Sequence, residues 1–293
     1  MRPLVILNPA SGSAEQGPRL REALADSADI ALSEGPGEAH RLAAEAVAQG
    51  RDLVIAAGGD GTINEVVQGL AADFARVRLG IIPLGTGNDL ARTLGVPLDP
   101  VQALAALHVR PERSLDLIRV VTENDSRYCI NVAAGGFSGQ VDEALTDELK
   151  ASWGPLAYVR GAIAVLPDLT GYQTTLAYDD GSWESIDALN VIVANGRTCA
   201  GGIQVAPEAD PTDGLLDVVV VRYASLLDLA TVAASLLTGD YRNRTEVSHR
   251  QVRRVRVASK PGMWFNVDGE LFTNEPVTFS VEPGVLRIVG VSP

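Results

Sequence analysis

Residues 52–67 read Asp-Leu-Val-Ile-Ala-Ala-Gly-Gly-Asp-Gly-Thr-Ile-Asn-Glu-Val-Val, and no other stretch limits the fold as tightly. The run from Leu53 to Ala57 is apolar and unbroken, as in a strand covered on both faces of a parallel sheet. Gly58, Gly59 and Gly61 follow; glycine tolerates positive φ and lets backbone amides come close to a ligand. Thr62 and Glu65 have the T-x-x-E spacing of a capping box, which predicts a helix from Thr62 with its N-terminus facing whatever the loop holds. An anion suits that place, but Asp60 would repel it unless a cation such as Mg²⁺ intervened. No Gly-Lys-Ser/Thr follows, so this is not a Walker A loop, and the G-x-G-x-x-G spacing is absent. A plain tight turn with an exposed Asp60 is the alternative.

The same pattern recurs along the first hundred residues. Leu4 to Leu7 leads into a loop at 8–13 and a helix over about 18–28, and a short strand at 30–32 ends at Ser33. Ala39, Leu42, Ala43, Ala46 and Val47 mark one face of a helix stopped by Gly50. A strand at 79–83 runs into Leu84-Gly85-Thr86-Gly87-Asn88-Asp89-Leu90-Ala91-Arg92, a second glycine loop before a helix. Alternating strand, polar loop and helix predicts an open parallel sheet with helices on both faces. In such a sheet the loops at 8–13, 58–62 and 85–89 share one carboxyl edge.

From Leu115 onward β-branched runs dominate, at 116–122, 128–133, 172–178, 186–194, 215–221, 252–258 and beyond, with a hairpin turn at 178–183. Helical insertions are expected at 155–166 and 225–237. Either could line a lipid-accepting cleft, although apolar helices usually pack on a sheet. This predicts an α/β domain over 1–118 and a mainly antiparallel β domain over 119–293, with return of the last strand, about 284–293, to the first domain left open.

With 293 residues, 46% of them hydrophobic, the chain can bury a core for two domains. A net charge of −13 argues against a sequence-independent nucleic-acid binder. Cys129 and Cys199 lack C-x-x-C spacing, which points to a reducing compartment and away from structural zinc. The apolar run at the N-terminus is too short for a signal peptide, so a cytoplasmic location is expected. The segment 225–237 contains Asp228 and is shorter than the roughly 20 residues that span a bilayer, so membrane contact would be peripheral.

Asp60, Asp89 and Asp116 sit at comparable places and could hold Mg²⁺ beside a triphosphate. Asp89 is equally a first-turn helix acid, and Asp116 equally a strand-edge residue.

Together these stretches resemble a known family. Asn8-Pro9-Ala10-Ser11-Gly12, the segment Gly58 to Val66, and Pro83 to Ala91 are similar to the ordered motifs of the diacylglycerol kinase catalytic domain, shared with sphingosine and ceramide kinases and soluble bacterial lipid kinases. Pro207 to Asp217 resembles that family's structural Mg²⁺ segment, and Asn266-Val267-Asp268-Gly269-Glu270 its late catalytic motif. The resemblance implies an NAD kinase/diacylglycerol kinase-like α/β domain followed by a β-sandwich. It implies a kinase that moves the γ-phosphoryl group of ATP to a lipid hydroxyl, with diacylglycerol, giving phosphatidic acid, as the first expectation.

Carried over by position, Asn8, Pro9, Ala10, Ser11, Gly12, Ser33, Gly58, Gly59, Asp60, Gly61, Thr62, Ile63, Asn64, Glu65, Gly85, Thr86 and Asn88 would surround the nucleotide. Asp60, Asp89 and Asp116 would form the acidic network around catalytic Mg²⁺. Asp213 would bind a structural Mg²⁺, with backbone carbonyls of Asp210 and Leu215. Asp268, or in second place Glu270, would take the proton of the acceptor hydroxyl. Asp268-Gly269 also suits a type I′ hairpin turn, which is compatible with that role.

The expected partner is a lipid at the inner membrane surface; no nucleic acid is expected, and a homodimer is left open. A run of basic residues from Arg242 to Lys260 could meet an anionic membrane, but its alternation with Val255 and Val257 fits a half-buried strand better. His40 and His108 receive no role. An NAD kinase- or phosphofructokinase-like activity is disfavoured by Asn64-Glu65 directly after the glycine loop and by the lack of a downstream Asn-Asn-Glu. A regulator that binds nucleotide or lipid without turnover is the remaining alternative.

Overall fold

The computed structural model describes residues 2–12, 16–136, 171–241 and 243–292. The helix expected at 155–166 lies outside the described residues. The chain divides into two compact units, Met1–Asp116 with Gly284–Pro293, and Leu117–Pro283.

Four strands of the first unit, β1 (Leu4–Leu7), β2 (Asp29–Leu32), β3 (Leu53–Gly58) and β4 (Arg78–Pro83), are joined by the end of β17 (Val277–Val289) in the order β17-β4-β3-β1-β2. Every pair in this sheet is parallel. Val54 to Gly58 are all buried, which is why β3 reads as a continuous apolar run rather than an alternating one. The helices are α1 (Gln16–Leu24), α2 (Glu38–Ala48), α3 (Asp60–Leu70), α4 (Asp89–Thr93) and α5 (Pro100–Val109). Helix α1 stops earlier than expected because a turn closes on Leu24, whose carbonyl accepts from the Ser27 and Ala28 amides. Leu20 and Leu24 pack with Val5, Leu7, Ile55 and Ile82 in one buried cluster.

The second unit is antiparallel throughout its described pairings. Its elements are β6 (Ser126–Cys129), β7 (Val132–Gly136), β8 (Tyr172–Tyr178), β9 (Glu184–Ala194), the short β10 (Thr198–Cys199) and β11 (Ile203–Gln204), β12 (Leu216–Arg222), α6 (Leu226–Thr238), β13 (Val247–Val252), β14 (Arg254–Lys260), β15 (Phe265–Val267) and β16 (Glu270–Thr273), with part of β5 (Arg113–Val121) and the first part of β17. Its core holds Val191, Val193, Val218, Val220 and Val255, with the Phe265 and Phe279 rings 5.1 Å apart.

Two runs expected as single strands are split, each by an aspartate that takes backbone amides. The 252–258 run divides at Arg253, because Asp179 Oδ1 at the β8–β9 hairpin accepts from the Arg253 and Arg254 amides. The 128–133 run divides at Ile130 and Asn131, whose amides go to Asp268. Helix α6 starts at Ser225, whose hydroxyl accepts from the Asp228 amide, and stops at Gly239, where φ is 74°. Among the described residues, no helix is long and apolar enough to cross a membrane.

Helices α2 and α3 meet at Gly69, where an added Cβ would stand 2.4 Å from the His40 carbonyl oxygen and 2.7 Å from Ala43 Cβ. Helix propensity favours alanine over glycine by about 1 kcal/mol, but overpacking against a backbone costs about 1–3 kcal/mol. Gly69→Ala is therefore expected to lower stability in urea unfolding, and a gain would show that the helix contact is loose.

Candidate active site

The carboxyl ends of β1, β3 and β4 bring three loops together. Asn8 Oδ1 accepts from the Ala10 amide at 2.9 Å, closing the turn after β1, while its Nδ2 donates to Thr62 Oγ1 at 3.1 Å. Ser11 Oγ accepts from the Gly59 amide at 3.4 Å. Gly12 has φ 78°, and a Cβ there would lie 2.2 Å from the Leu84 carbonyl oxygen. Pro9 and Ala10 are exposed. Buried Ser33, at the end of β2, donates its amide to the Leu7 carbonyl and so lies at the same sheet edge.

The two glycine loops touch backbone to backbone: a Cβ on Gly85 would lie 2.6 Å from Gly59 Cα. Gly58 is small for a different reason, since its Cβ would lie 2.5 Å from Thr62 Cβ. None of Gly58, Gly59 and Gly61 has positive φ; Gly58 and Gly59 sit where a Cβ would be crowded, whereas a Cβ on Gly61 would meet nothing within 4 Å. Across from them, Asn88 takes φ 51° and pins the second loop twice, accepting from the Gly85 amide at 3.0 Å and donating to its carbonyl at 2.7 Å. Thr86 is exposed at the tip of that loop.

The expected capping box does not form. Helix α3 begins at Asp60 after Gly59, with no side-chain cap. Thr62 is turned to Asn8 instead, and Glu65 reaches another helix, accepting from the Gly37 amide at 2.9 Å and the Ala39 amide at 3.0 Å. Glu65 therefore caps α2, whose own N-cap residue, Gly37, has no side chain to do so. Ile63 and Asn64 are buried, and Asn64 Nδ2 has no hydrogen-bond partner among the described residues.

Asp60 performs a similar tie. Its Oδ2 accepts from the Asp89 amide and its Oδ1 from the Leu90 amide, both at 3.2 Å, so it holds the first turn of α4. Burial pushes the Asp60 carboxyl above its ordinary range and the charge of Asp89 pushes it further, against the pull of the α4 amides. Asp60 and Asp89 are thus brought together. Buried Asp116 accepts from the Gly284 amide at 2.7 Å, where Gly284 has φ 63°.

In the second unit, Asp268 and Gly269 form the β15–β16 turn with φ 48° and 92°, the type I′ signature. The Asp268 carboxylate turns back into the link between β6 and β7. Oδ2 accepts from the Ile130 amide at 2.7 Å; Oδ1 accepts from Asn131 N at 3.0 Å, Val132 N at 3.1 Å and Cys129 Sγ at 3.3 Å. Burial raises the Asp268 carboxyl above its ordinary range while these donors pull it down. Glu270 is exposed and ion-paired to Arg127 at 2.7 Å. The donors of Cys129 to Val132 around Asp268 are neighbours that the sequence did not point to. Three are backbone amides, which no residue type announces.

Asp210 and Asp213 lie in a surface loop before β12. Asp210 Oδ1 accepts from the Thr212 amide and hydroxyl, and its carbonyl from the Asp213 amide. Asp213 Oδ1 accepts from the Leu215 amide at 2.8 Å and Oδ2 from Gln251 at 3.4 Å. Among the described residues, no three His, Cys, Asp or Glu side chains form a set that could hold a metal ion.

Comparison with known proteins adds to this geometry. Residues 2–120 match the diacylglycerol kinase catalytic domain, and residues 131–290 match the YegS C-terminal NAD kinase beta sandwich-like domain. A protein of Xanthomonas oryzae pv. oryzae named "Probable lipid kinase YegS-like" is 35% identical over 266 residues, covering 89% of this chain and 85% of that protein. One of the same name from Pseudomonas aeruginosa is 34% identical over 252 residues, covering 86% and 81%. A crystal structure of a diacylglycerol kinase from Bacillus anthracis str. Sterne shares the fold with a TM-score of 0.75 at 23% identity, covering 100% of this chain and 97% of that one. The sheet architecture expected from the sequence, parallel first and antiparallel after, is that of these relatives.

Removing the Glu65 carboxylate leaves the Gly37 and Ala39 amides without their acceptor. Glu65→Ala is expected to cost about 1–2 kcal/mol in chemical denaturation, and an unchanged midpoint would show that α2 does not depend on this tie.

Proposed function

The chain belongs to the lipid kinase family that joins a diacylglycerol kinase catalytic domain to a YegS C-terminal domain, and from this premise we propose that it transfers the γ-phosphoryl group of ATP to a lipid hydroxyl, with diacylglycerol as acceptor and phosphatidic acid as product. The observation that carries the reading is the approach of Gly59 and Gly85, where a Cβ on Gly85 would lie 2.6 Å from Gly59 Cα and one on Gly59 would lie 3.3 Å from Gly85 Cα. Side-chain-free backbone beside an uncapped helix start is what phosphate oxygens need. The buried Asn64 Nδ2, still lacking a partner among the described residues, is a further donor there.

Residues 8–12, Ser33, 58–65, Gly85, Thr86 and Asn88 would hold the nucleotide. Asp60 and Asp89 fit Mg²⁺ because they are neighbouring carboxylates whose repulsion a cation relieves. Bound Mg²⁺ would offset phosphate charge as it builds in transfer. Asp116 joins this acidic set in the proposal. Asp213, with the carbonyls of Asp210 and Leu215, is the proposed place of a second Mg²⁺. Its carboxylate already serves Leu215 and Gln251, so that donor set alone does not call for a metal.

For the acceptor, Asp268 takes the proton as the lipid oxygen bonds to the γ-phosphorus and the bond to the ADP oxygen breaks. A carboxyl raised by burial is a better base than one free in water. Glu270 is the weaker candidate because Arg127 pairs with it at 2.7 Å. A lipid acceptor places the work at a membrane surface, which we take to be the cytoplasmic face.

Purified protein given labelled ATP, Mg²⁺ and mixed micelles of diacylglycerol, phosphatidylglycerol or a sphingoid base is expected to yield labelled phosphatidic acid. No labelled lipid from any acceptor would overturn the reading. Asp60→Ala is expected to stay folded, with about 1–2 kcal/mol lost from the α4 tie, and to lower transfer by about 100-fold or more. Wild-type turnover in that variant would separate the glycine loop from the chemistry.

A further inference from the structure

Asp268 is more closely surrounded than a proton acceptor needs to be, and the donors are unevenly shared. Oδ1 takes Asn131 N, Val132 N and Cys129 Sγ; Oδ2 takes only Ile130 N. A carboxylate oxygen has two in-plane lone pairs, so the three donors on Oδ1 share both of its pairs and leave none free, while Oδ2 keeps one acceptor position. Cys129 has no solvent exposure and closes β6. Its partner is an acceptor-only carboxylate, so the sulfur is the donor.

We propose that Cys129 is a positioning residue for Asp268: its thiol, with the amides of Asn131 and Val132, fills Oδ1, so that the proton of the acceptor hydroxyl is taken at Oδ2. This rests on the reading of Asp268 as the base. Burial and the Asp268 charge hold the Cys129 thiol well above its ordinary range, which keeps its proton on sulfur across the working pH. Among the described residues, Arg127 on β6 lies near the Cys129 thiol and pairs with Glu270 on β16. Asp268 in turn holds φ 48°, a conformation uncommon outside glycine, because its side chain is anchored to the β6–β7 link and its amide to the Val132 carbonyl.

The sign follows from the donor. Losing a hydrogen bond to the charged form makes the carboxylate harder to form, so the pH at which Asp268 ionises rises. In Cys129→Ala the acid limb of kcat/KM for lipid phosphorylation is expected to move up by about half a pH unit. Cys129→Ser keeps a donor, and its limb is expected at or below the wild-type position.

A merely structural cysteine would lower thermal stability in both variants and leave the limb where it was; that result overturns the proposal. The same comparison is made without turnover by titrating ¹³C-labelled aspartate carboxyls by NMR, with the Asp268 signal assigned by its loss in Asp268→Asn. An upward shift in Cys129→Ala but not in Cys129→Ser supports the positioning role even if no lipid is phosphorylated, in which case only the kinase reading fails. Coincident Asp268 titrations in wild type and Cys129→Ala overturn it.

Discussion

The contact of Gly59 with Gly85 is the constraint on which the first unit's site depends. It ties the end of β3 to the end of β4 at a spacing that leaves no room for a side chain on Gly85 and little on Gly59. Around it, Gly12 closes on Leu84, and Asn8 reaches Thr62, so that loops from three strands share one edge. The parallel sheet sets this up, since parallel strands place all their carboxyl ends on the same side.

A second theme runs through both units: acidic side chains that accept backbone amides from distant segments. Asp60 holds the start of α4, Glu65 the start of α2, Asp116 the bend at Gly284, Asp179 the break between β13 and β14, and Asp268 the break between β6 and β7. Charge-assisted bonds of this kind are stronger than neutral ones. They leave a carboxyl group fixed in place. For Asp60 and Asp268 that fixed placement is what phosphoryl transfer would use.

The sheet types were legible because burial on both faces and alternation leave direct marks in the sequence. The unbroken 53–57 run and the alternating 254–257 run are examples. The glycine loops were legible as places; of the two uses expected of glycine there, positive φ and side-chain-free backbone, the first is not seen at Gly58, Gly59 or Gly61, and crowding of an added Cβ is seen at Gly58, Gly59 and Gly85. Thr62 and Glu65 showed the opposite weakness. Their spacing matches a local cap, yet each finds a better partner in another element, because Thr62 folds against Gly58 and Glu65 faces the bare start of α2. The surroundings of Asp268 could not be read at all, since Ile130, Asn131 and Val132 contribute amides that every residue but proline carries.

The central claim is that the loops at 8–12, 58–64 and 85–89 are a nucleotide-phosphate cradle. Amide chemical-shift mapping of the ¹⁵N-labelled protein with a non-hydrolysable ATP analogue and Mg²⁺ tests it most directly. The account predicts that saturable shifts concentrate on Ser11, Gly12, Gly58 to Asn64 and Gly85 to Asp89. Saturable shifts that leave those amides untouched, or no binding at millimolar analogue, would contradict it.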